Sequence, residues 1–334
     1  MNSKIAIQKV ALICVILFII AGAVVIALDW KAMRQVIGQA DWLYIAPALI
    51  FTGVSYLCLS VSQAIVFQVF GIKQDFNYLL TVGFVTNVIS LLIHVGGAAG
   101  VSLQYVLLKK RGIATEDILA PSLFQLYFSG ITLIALLPVS LIYILFSRQL
   151  SFGTVLGVSI AAGVLILLLV LASAIIFSER FRGALLRNIG RVVHFVIRRD
   201  IANVLNDFDK AMTRGVTIIR HRPSVLIPLI LVAIGDWAGT AIALWFCFAA
   251  LGIFMGAGTL ITGFSLGITA GFVSMVPGGL GVQEGSLAGI YALFGIPIET
   301  AVLAAILFRI VYYFIPFLVS LGFYRRLLRE NASE

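Results

Sequence analysis

The chain has 334 residues, 61% of them hydrophobic and only 11% charged, with a mean hydropathy of +1.12 and a formal charge of +9. A water-soluble domain is excluded, because several windows exceed the roughly 20 apolar residues that cross a bilayer. Nor does the charge point to nucleic acid: much of it sits in Lys109, Lys110 and Arg111, in an arm over residues 179–222, and in Arg325, Arg326 and Arg329, the loop positions that the positive-inside rule expects.

In chain order, residues 10–28 follow Lys4 and Lys9 and outrun the apolar core of a cleaved signal peptide, so a retained first helix is expected there. Further full-length helices are expected over 43–70, 118–146, 152–177, 225–250 and 301–323. Two other apolar stretches are interrupted by glycine. Residues 76–108 are cut by Gly96, Gly97, Ala98, Ala99 and Gly100; residues 256–294 are cut by Pro277, Gly278, Gly279 and Gly281, with Glu284 just beyond. Each stretch is too long for one span, and its halves are short for two. Hydrocarbon holds no water to satisfy a broken backbone, so such a break survives only when buried in protein or lining a wet cavity. Cys14, Cys58 and Cys247 lie far apart in apolar spans and read as small buried hydrophobes, without disulfide or metal spacing.

Charge fixes the parity of the spans. With basic loops cytoplasmic, the helix at 10–28 exits and that at 43–70 returns near Lys73. Residues 76–108 must then enter and leave on one side to put Lys109, Lys110 and Arg111 inside again. The same count makes 256–294 a hairpin from the opposite side. The expected fold is an all-α integral membrane protein of one domain over 1–334, with about six full transmembrane helices and two re-entrant helical hairpins. Eight or more simple spans keep the same parity and stay open as the alternative. Residues 1–148 and 151–330 would be inverted half-repeats, the architecture of many secondary transporters. The arm over 179–222 interleaves arginines such as Arg187, Arg191, Arg198 and Arg199 with Leu185, Leu186, Ile189 and Val193 near helical spacing. It reads as amphipathic helix on the cytoplasmic headgroups.

Ionisable residues within the apolar spans are few: Asp236, Glu284 and Arg309, with His94 near the first break. Such groups are costly in a bilayer and mark function by default. Glu284 follows Gly281 by three and falls in the first turn of the resumed helix, where an acid also complements the helix dipole. Arg309 is far from either end of its span, and its fork suits a carboxylate or a phosphate oxygen. Glu284 and Asp236 are its two candidate partners, in an ion pair that either fixes packing or serves a substrate. Each glycine break also exposes backbone N–H groups at a half-helix N-terminus, which attract anions. Metal-ligand clusters, nucleophile triads and nucleotide-binding glycine patterns are absent, so neither a cofactor nor a metal is expected.

The segment Pro277, Gly278, Gly279, Gly281, Glu284, then Gly295 and Pro297, then Arg309, Tyr312, Tyr313 and Pro316, resembles the transmembrane (flippase) domain family of lysylphosphatidylglycerol synthases. Gly96, Gly97 and Gly100, followed by Tyr105, Leu107, Leu108 and the basic triplet, are similar to that family's first motif. Many members carry an acid and an Arg in that motif, where Val101 and Gln104 stand in this sequence. The resemblance spans essentially the whole chain and is most specific at the second motif.

What the resemblance implies is translocation of a polar-headed lipid between leaflets of the bacterial cytoplasmic (inner) membrane, with both termini cytoplasmic. Relatives are linked to aminoacylated phosphatidylglycerol, polyprenyl-linked sugars and hopanoids, so the cargo does not carry over. The residues expected to face the headgroup are Gly96, Gly97, Gly100, Gln104, Asp236, Pro277, Gly278, Gly279, Gly281, Glu284, Arg309, Tyr312 and Tyr313. A non-enzymatic transporter is the leading expectation. A membrane scaffold that docks a lipid-modifying enzyme and an intramembrane transferase are the competitors. Membrane lipids are the expected partners, with a homo-oligomer or a lipid-modifying enzyme as further ones and no nucleic acid.

Overall fold

A computed structural model of the protein describes residues 40–93, 97–147, 152–197, 202–274 and 279–330, together with Gly38 and Val276. The helix expected over 10–28 lies outside the described residues, as do His94, Gly96, Pro277 and Gly278. The described chain is helical throughout. A 3₁₀ turn, Trp42–Tyr44, leads into α1 (Ile45–Val69); α2 (Phe76–Leu92) and α3 (Ala98–Lys109) follow. Next come α4 (Thr115–Ile134), α5 (Leu137–Ser147) and α6 (Phe152–Phe177). The arm is α7 (Glu179–Ile197) and α8 (Ala202–His221). A second 3₁₀ turn, Pro223–Val225, starts α9 (Leu226–Ala249), followed by α10 (Ala257–Val273), α11 (Val282–Leu293) and α12 (Ile298–Arg309). A five-residue π-helical segment, Ile310–Phe314, joins α12 to α13 (Ile315–Glu330).

Four helical runs are long and apolar enough to cross a membrane: Trp42–Val69, Thr115–Ile144, Pro223–Ala249 and Ile298–Arg329. Helix α6 has 26 residues and leaves Ile160, Leu167, Leu168, Val170 and Leu171 exposed. A continuous apolar surface of this kind suits hydrocarbon and not water. The chain is therefore an all-α integral membrane protein.

Both interrupted stretches fold as helical hairpins of matching dimensions. Helices α2 and α10 have 17 residues each, and α3 and α11 have 12 each. Twelve residues rise about 18 Å, well short of a hydrocarbon core of about 30 Å. Both resumed helices start from a glycine at φ 77°, Gly97 and Gly281, a conformation that carries a steric penalty for any side chain.

The two hairpins open toward opposite ends of the bundle. At one end, Arg111 donates to Gln74 at 3.4 Å and its guanidinium stands 4.0 Å from the Tyr78 ring, joining the end of α3 to the start of α2. Leu107, Leu108 and Leu79 share a core there with Leu327 from the end of α13. Arg214 of the arm pairs with Asp117 at 3.1 Å, at the start of α4. The basic triplet, the arm and the α13 arginines therefore gather on one face, as the charge count expects. At the other end the Asp41 N–H donates to the Ala250 carbonyl at 2.7 Å, tying the start of α1 to the end of α9. Tyr143 from the end of α5 packs there on Gly258 and the Phe294 ring, at the open end of the α10–α11 hairpin.

Packing across the molecule is reciprocal. Helices α1 and α9 lie against each other along their length, with Gly239 so close to Phe51 and Ser55 that a Cβ would come within 2.9 Å of the Phe51 carbonyl. Helix α2 packs on α13, and α10 packs on α5. The first hairpin thus rests on the last helix of the second segment, and the second hairpin on the last helix of the first.

Three features depart from the sequence reading. The span over 118–146 is two helices, because the chain turns at Ala135 and Leu136 just before Pro138. The last span carries the π-helical segment. Pro316 has no N–H for the carbonyl four residues back, that of Tyr312, and the Tyr56 hydroxyl donates to this oxygen at 3.0 Å. Third, the apolar face of α8 is not given over to headgroups: Ala211, Met212, Val216 and Ile219 are buried against Phe70, Ala120 and Phe124 of the membrane bundle. Arg182, 2% exposed, pins α7 to α8 through Asp209 and Thr213 and donates to the Ile176 carbonyl at 2.7 Å.

Candidate functional site

The second break is the best-built polar site among the described residues. Glu284 sits in the first turn of α11, where its Oε2 accepts the Gly281 N–H at 2.9 Å. That is the acidic limb of a capping box; glycine has no side chain for the other limb. The other carboxylate oxygen, Oε1, forms an ion pair with Nη2 of Arg309. Dipole complement and ion pair, two readings of Glu284 from sequence, are therefore both realised by one side chain. The Arg309 guanidinium also lies 5.6 Å from the Tyr313 ring centroid, within cation–π range. The Tyr313 hydroxyl and the Gln283 amide bond each other at 3.1 and 3.2 Å.

Burial grades outward across this group. Gln283 and Tyr313 are 3% and 5% exposed, whereas the Arg309 and Glu284 side chains keep 17% and 15%. The charged pair thus stands at the rim of the packed core. Gly281 and Gly285 beside it are exposed. A π-helical segment starts directly after Arg309, a distortion that recurs at functional sites because it re-aims side chains within a helix. Gly279, at φ 60°, gives its N–H to the Val276 carbonyl at 2.8 Å and lies against Gln283.

Close approach of α10 and α11 holds this geometry. Gly263, Gly267 and Gly271 form a stripe at four-residue spacing, and a Cβ on them would meet Tyr291, Leu287 and Gln283 at 2.3, 2.5 and 3.2 Å. Small residues at this spacing let helices in a bilayer pack backbone to backbone.

Beside the first break the described polar groups are neutral. Gln104 is 5% exposed; its amide donates to Thr86 at 3.3 Å and its carbonyl oxygen accepts from Ser122 at 2.6 Å. Gln63 donates to the same Thr86 hydroxyl at 3.3 Å. Gly100 presses on the Thr86 carbonyl and Ser90, and Gly97 on Leu126. These groups polarise the interior between α1, α2, α3 and α4 without placing a charge there.

Asp236 and Tyr312 belong to a third group. Of the two acids considered for Arg309, Glu284 is the one that pairs with it; Asp236 accepts from Ser55 at 2.6 Å. Ser55, Thr240 and the Tyr312 hydroxyl lie within 3.0 Å of one another, and Asp236 is 5% exposed. Gln104, Asp236 and Glu284 therefore stand in three separate hydrogen-bonded groups. Sequence reading passed over Ser55, Gln63, Thr86, Thr240 and Gln283. A usable signal was present: Ser55, Ser62 and Gln63 recur at helical spacing in an apolar span, and Asp236 and Thr240 are one turn apart.

Comparison with known proteins places the chain in a family. Residues 9–320 match the family described as the lysylphosphatidylglycerol synthase transmembrane region. A UPF0104 membrane protein of Methanothermobacter thermautotrophicus is 30% identical over 125 residues, 37% of this chain and 34% of that protein. A phosphatidylglycerol lysyltransferase of Staphylococcus aureus is 30% identical over 91 residues, 27% of this chain and 11% of that protein. The matched stretches thus span about a third of one relative and a ninth of the other.

Proposed function

The chain belongs to the lysylphosphatidylglycerol synthase transmembrane-region family, and from that premise we propose that it carries a polar-headed, phosphate-bearing lipid between the two leaflets of a cell membrane. The observation that carries this reading is the Glu284–Arg309 pair at the rim of the second hairpin. The planar guanidinium of Arg309 is a fork of five donors whose geometry suits a phosphate as well as a carboxylate. Glu284 holds Arg309 in place before the lipid arrives and balances its charge in hydrocarbon. On headgroup binding the arginine turns from carboxylate toward phosphate, while the acyl chains stay in the bilayer. The kinship with a protein named phosphatidylglycerol lysyltransferase favours a glycerophospholipid as cargo.

Movement follows from the paired hairpins. We take the two segments with matching 17- and 12-residue helices as inverted half-repeats whose hairpins re-enter the membrane from opposite faces. Rocking one half against the other around α1 and α9 would open the rim of the second hairpin to each leaflet in turn. The basic face, with the arm, is assigned to the cytoplasm by the positive-inside rule. A carboxylate paired with an arginine, beside a tyrosine bonded to an amide, suits binding and orienting a headgroup, and we therefore read the protein as a transporter.

Reconstitution of the purified chain into liposomes tests this directly. Phosphatidylglycerol labelled in its headgroup region should redistribute between leaflets faster than in protein-free vesicles. Arg309→Gln should slow it by about 10- to 100-fold, from the loss of a charge-assisted contact of about 1.5–3 kcal/mol. Redistribution no faster than in empty vesicles, with a correctly folded protein, overturns the reading.

A further inference from the structure

The oxygen cluster around Asp236 is not explained by headgroup binding, and its hydrogens can be counted. Three hydroxyls, on Ser55, Thr240 and Tyr312, bring three protons. Five oxygen–oxygen approaches join them to one another and to Asp236. Ser55 to the carboxylate is 2.6 Å, Ser55 to Tyr312 2.7 Å, Tyr312 to Thr240 2.9 Å, Thr240 to the Asp236 backbone carbonyl 2.9 Å, and Ser55 to Thr240 3.0 Å. With the carboxylate ionised, Ser55 donates to it, Thr240 donates to the carbonyl, and Tyr312 can serve only one of the two remaining hydroxyls. Two of the five contacts then have no proton.

One added proton changes the pattern. The Asp236 carboxyl donates to Ser55, Ser55 to Tyr312, Tyr312 to Thr240 and Thr240 to the Asp236 carbonyl. Each hydroxyl then donates once and accepts once, and the contact left without a proton is the longest of the five. Oxygens 2.6–3.0 Å apart are at hydrogen-bonding separations.

The surroundings supply no other compensating charge among the described residues. From α1, Tyr56 and Cys58 face this region, and from the π-helical segment Tyr312 and Tyr313 do so. Helix α10 has no titratable residue. Arg309 of α12 is paired with Glu284. The acids of α4, Glu116 and Asp117, are in its first turn, where Asp117 pairs with Arg214. At the ends of α9, Asp41 caps the first 3₁₀ turn, which contains Tyr44, and Arg222 precedes the second.

We propose that Asp236, with Ser55, Thr240 and Tyr312, is a proton-binding site in the membrane core, loaded and emptied as the protein changes state. The site itself follows from the cluster; its role as the energy-coupling site rests on the transport reading above. The link to the headgroup site is short. Tyr312 is adjacent to Tyr313, which packs on Arg309, and both tyrosines lie in the π-helical segment. A shift of that segment that breaks the hydroxyl chain would release the proton and move Arg309 together.

Infrared spectroscopy of the full chain in lipid, titrated in pH, reads the proton apart from transport. The carbonyl-stretch band of a neutral carboxyl group should be present and be lost in Asp236→Asn, persist in Glu284→Gln, and shift in Ser55→Ala. The Ser55→Ala shift keeps the assignment available should the Asp236 variant fold poorly. Absence of that band at every pH, or a band indifferent to Ser55→Ala and lost in Glu284→Gln, refutes the site. In liposomes an imposed pH gradient should raise the rate of phosphatidylglycerol movement several-fold, and the ratio with and without gradient should fall to one in Asp236→Asn. Stimulation by a sodium gradient and not by a pH gradient would overturn the proton assignment. A titrating Asp236 band in a protein that moves no lipid would uphold the site and sink the transport reading.

Discussion

Arg309 and Glu284 meet from positions 25 residues apart through two local devices. Glycine at 281 starts α11 so that Glu284 folds back on its own N-terminus, and the end of α12 brings Arg309 to the free carboxylate oxygen. A pair that merely fixes packing and a pair that holds a headgroup respond differently to double substitution. Replacing both members of an ion pair by neutral residues is often tolerated, whereas removing one strands the other. We therefore expect Glu284→Gln and Arg309→Gln each to lower stability. The double variant should recover the melting temperature in detergent but not lipid movement in liposomes. Recovery of both would reduce the pair to a packing element. Glu284 and Arg309 were legible in sequence because a charge in an apolar span stands out. Gln283 and Ser55 were not, because a neutral polar residue in such a span is common and only its partner reveals its use.

At the scale of elements, the second hairpin depends on a surface with no side chain. A Cβ at Gly263 would lie 2.3 Å from the Tyr291 ring, which cannot retreat because its hydroxyl is bonded to the Leu260 carbonyl at 3.1 Å. Gly263→Ala should cost about 1–3 kcal/mol through overpacking. Gly285→Ala, where a Cβ meets nothing within 4 Å, should be neutral or slightly stabilising because alanine is the better helix former. Thermal unfolding in detergent separates them, and equal effects would show that the close approach of α10 to α11 is not what holds the hairpin. The existence of both hairpins was readable from glycine breaks and charge parity. Their close packing was not, since the Gly263, Gly267 and Gly271 stripe acquires meaning only from Leu287 and Tyr291 on the other helix. The break in the span over 118–146 and the π-helical segment after Arg309 were passed over although Pro138 and Pro316 stand beside them, because hydropathy registers apolar length and not backbone hydrogen bonding.

For the whole molecule, the opposed hairpins make a topological prediction. Single cysteines at Lys73 and Arg111, on a background without Cys14, Cys58 and Cys247, should react with a membrane-impermeant thiol reagent from one face of oriented vesicles. Cysteines at Gly252 and Gly295 should react from the other face. Labelling of all four from the same face would refute the inverted arrangement. Each hairpin is also in contact with the last helix of the other segment, α2 with α13 and α10 with α5. The arm joins the same body: Arg182, Arg214 and Arg220 bond to the Ile176 carbonyl, Asp117 and the Phe177 carbonyl.

The membrane class, four of the six expected spans, the position of both breaks and the family were legible in sequence alone. The physical reason is that a bilayer imposes one-dimensional rules: apolar length, positive loops and the cost of an unsatisfied backbone each act locally along the chain. Which acid pairs with Arg309 was decided only by the fold. So was the gathering of Asp236 with Ser55, Thr240 and Tyr312, drawn from α1, α9 and the π-helical segment. A hydrogen bond acts over about 3 Å, and residues up to 257 positions apart come within that range only when the helices are packed.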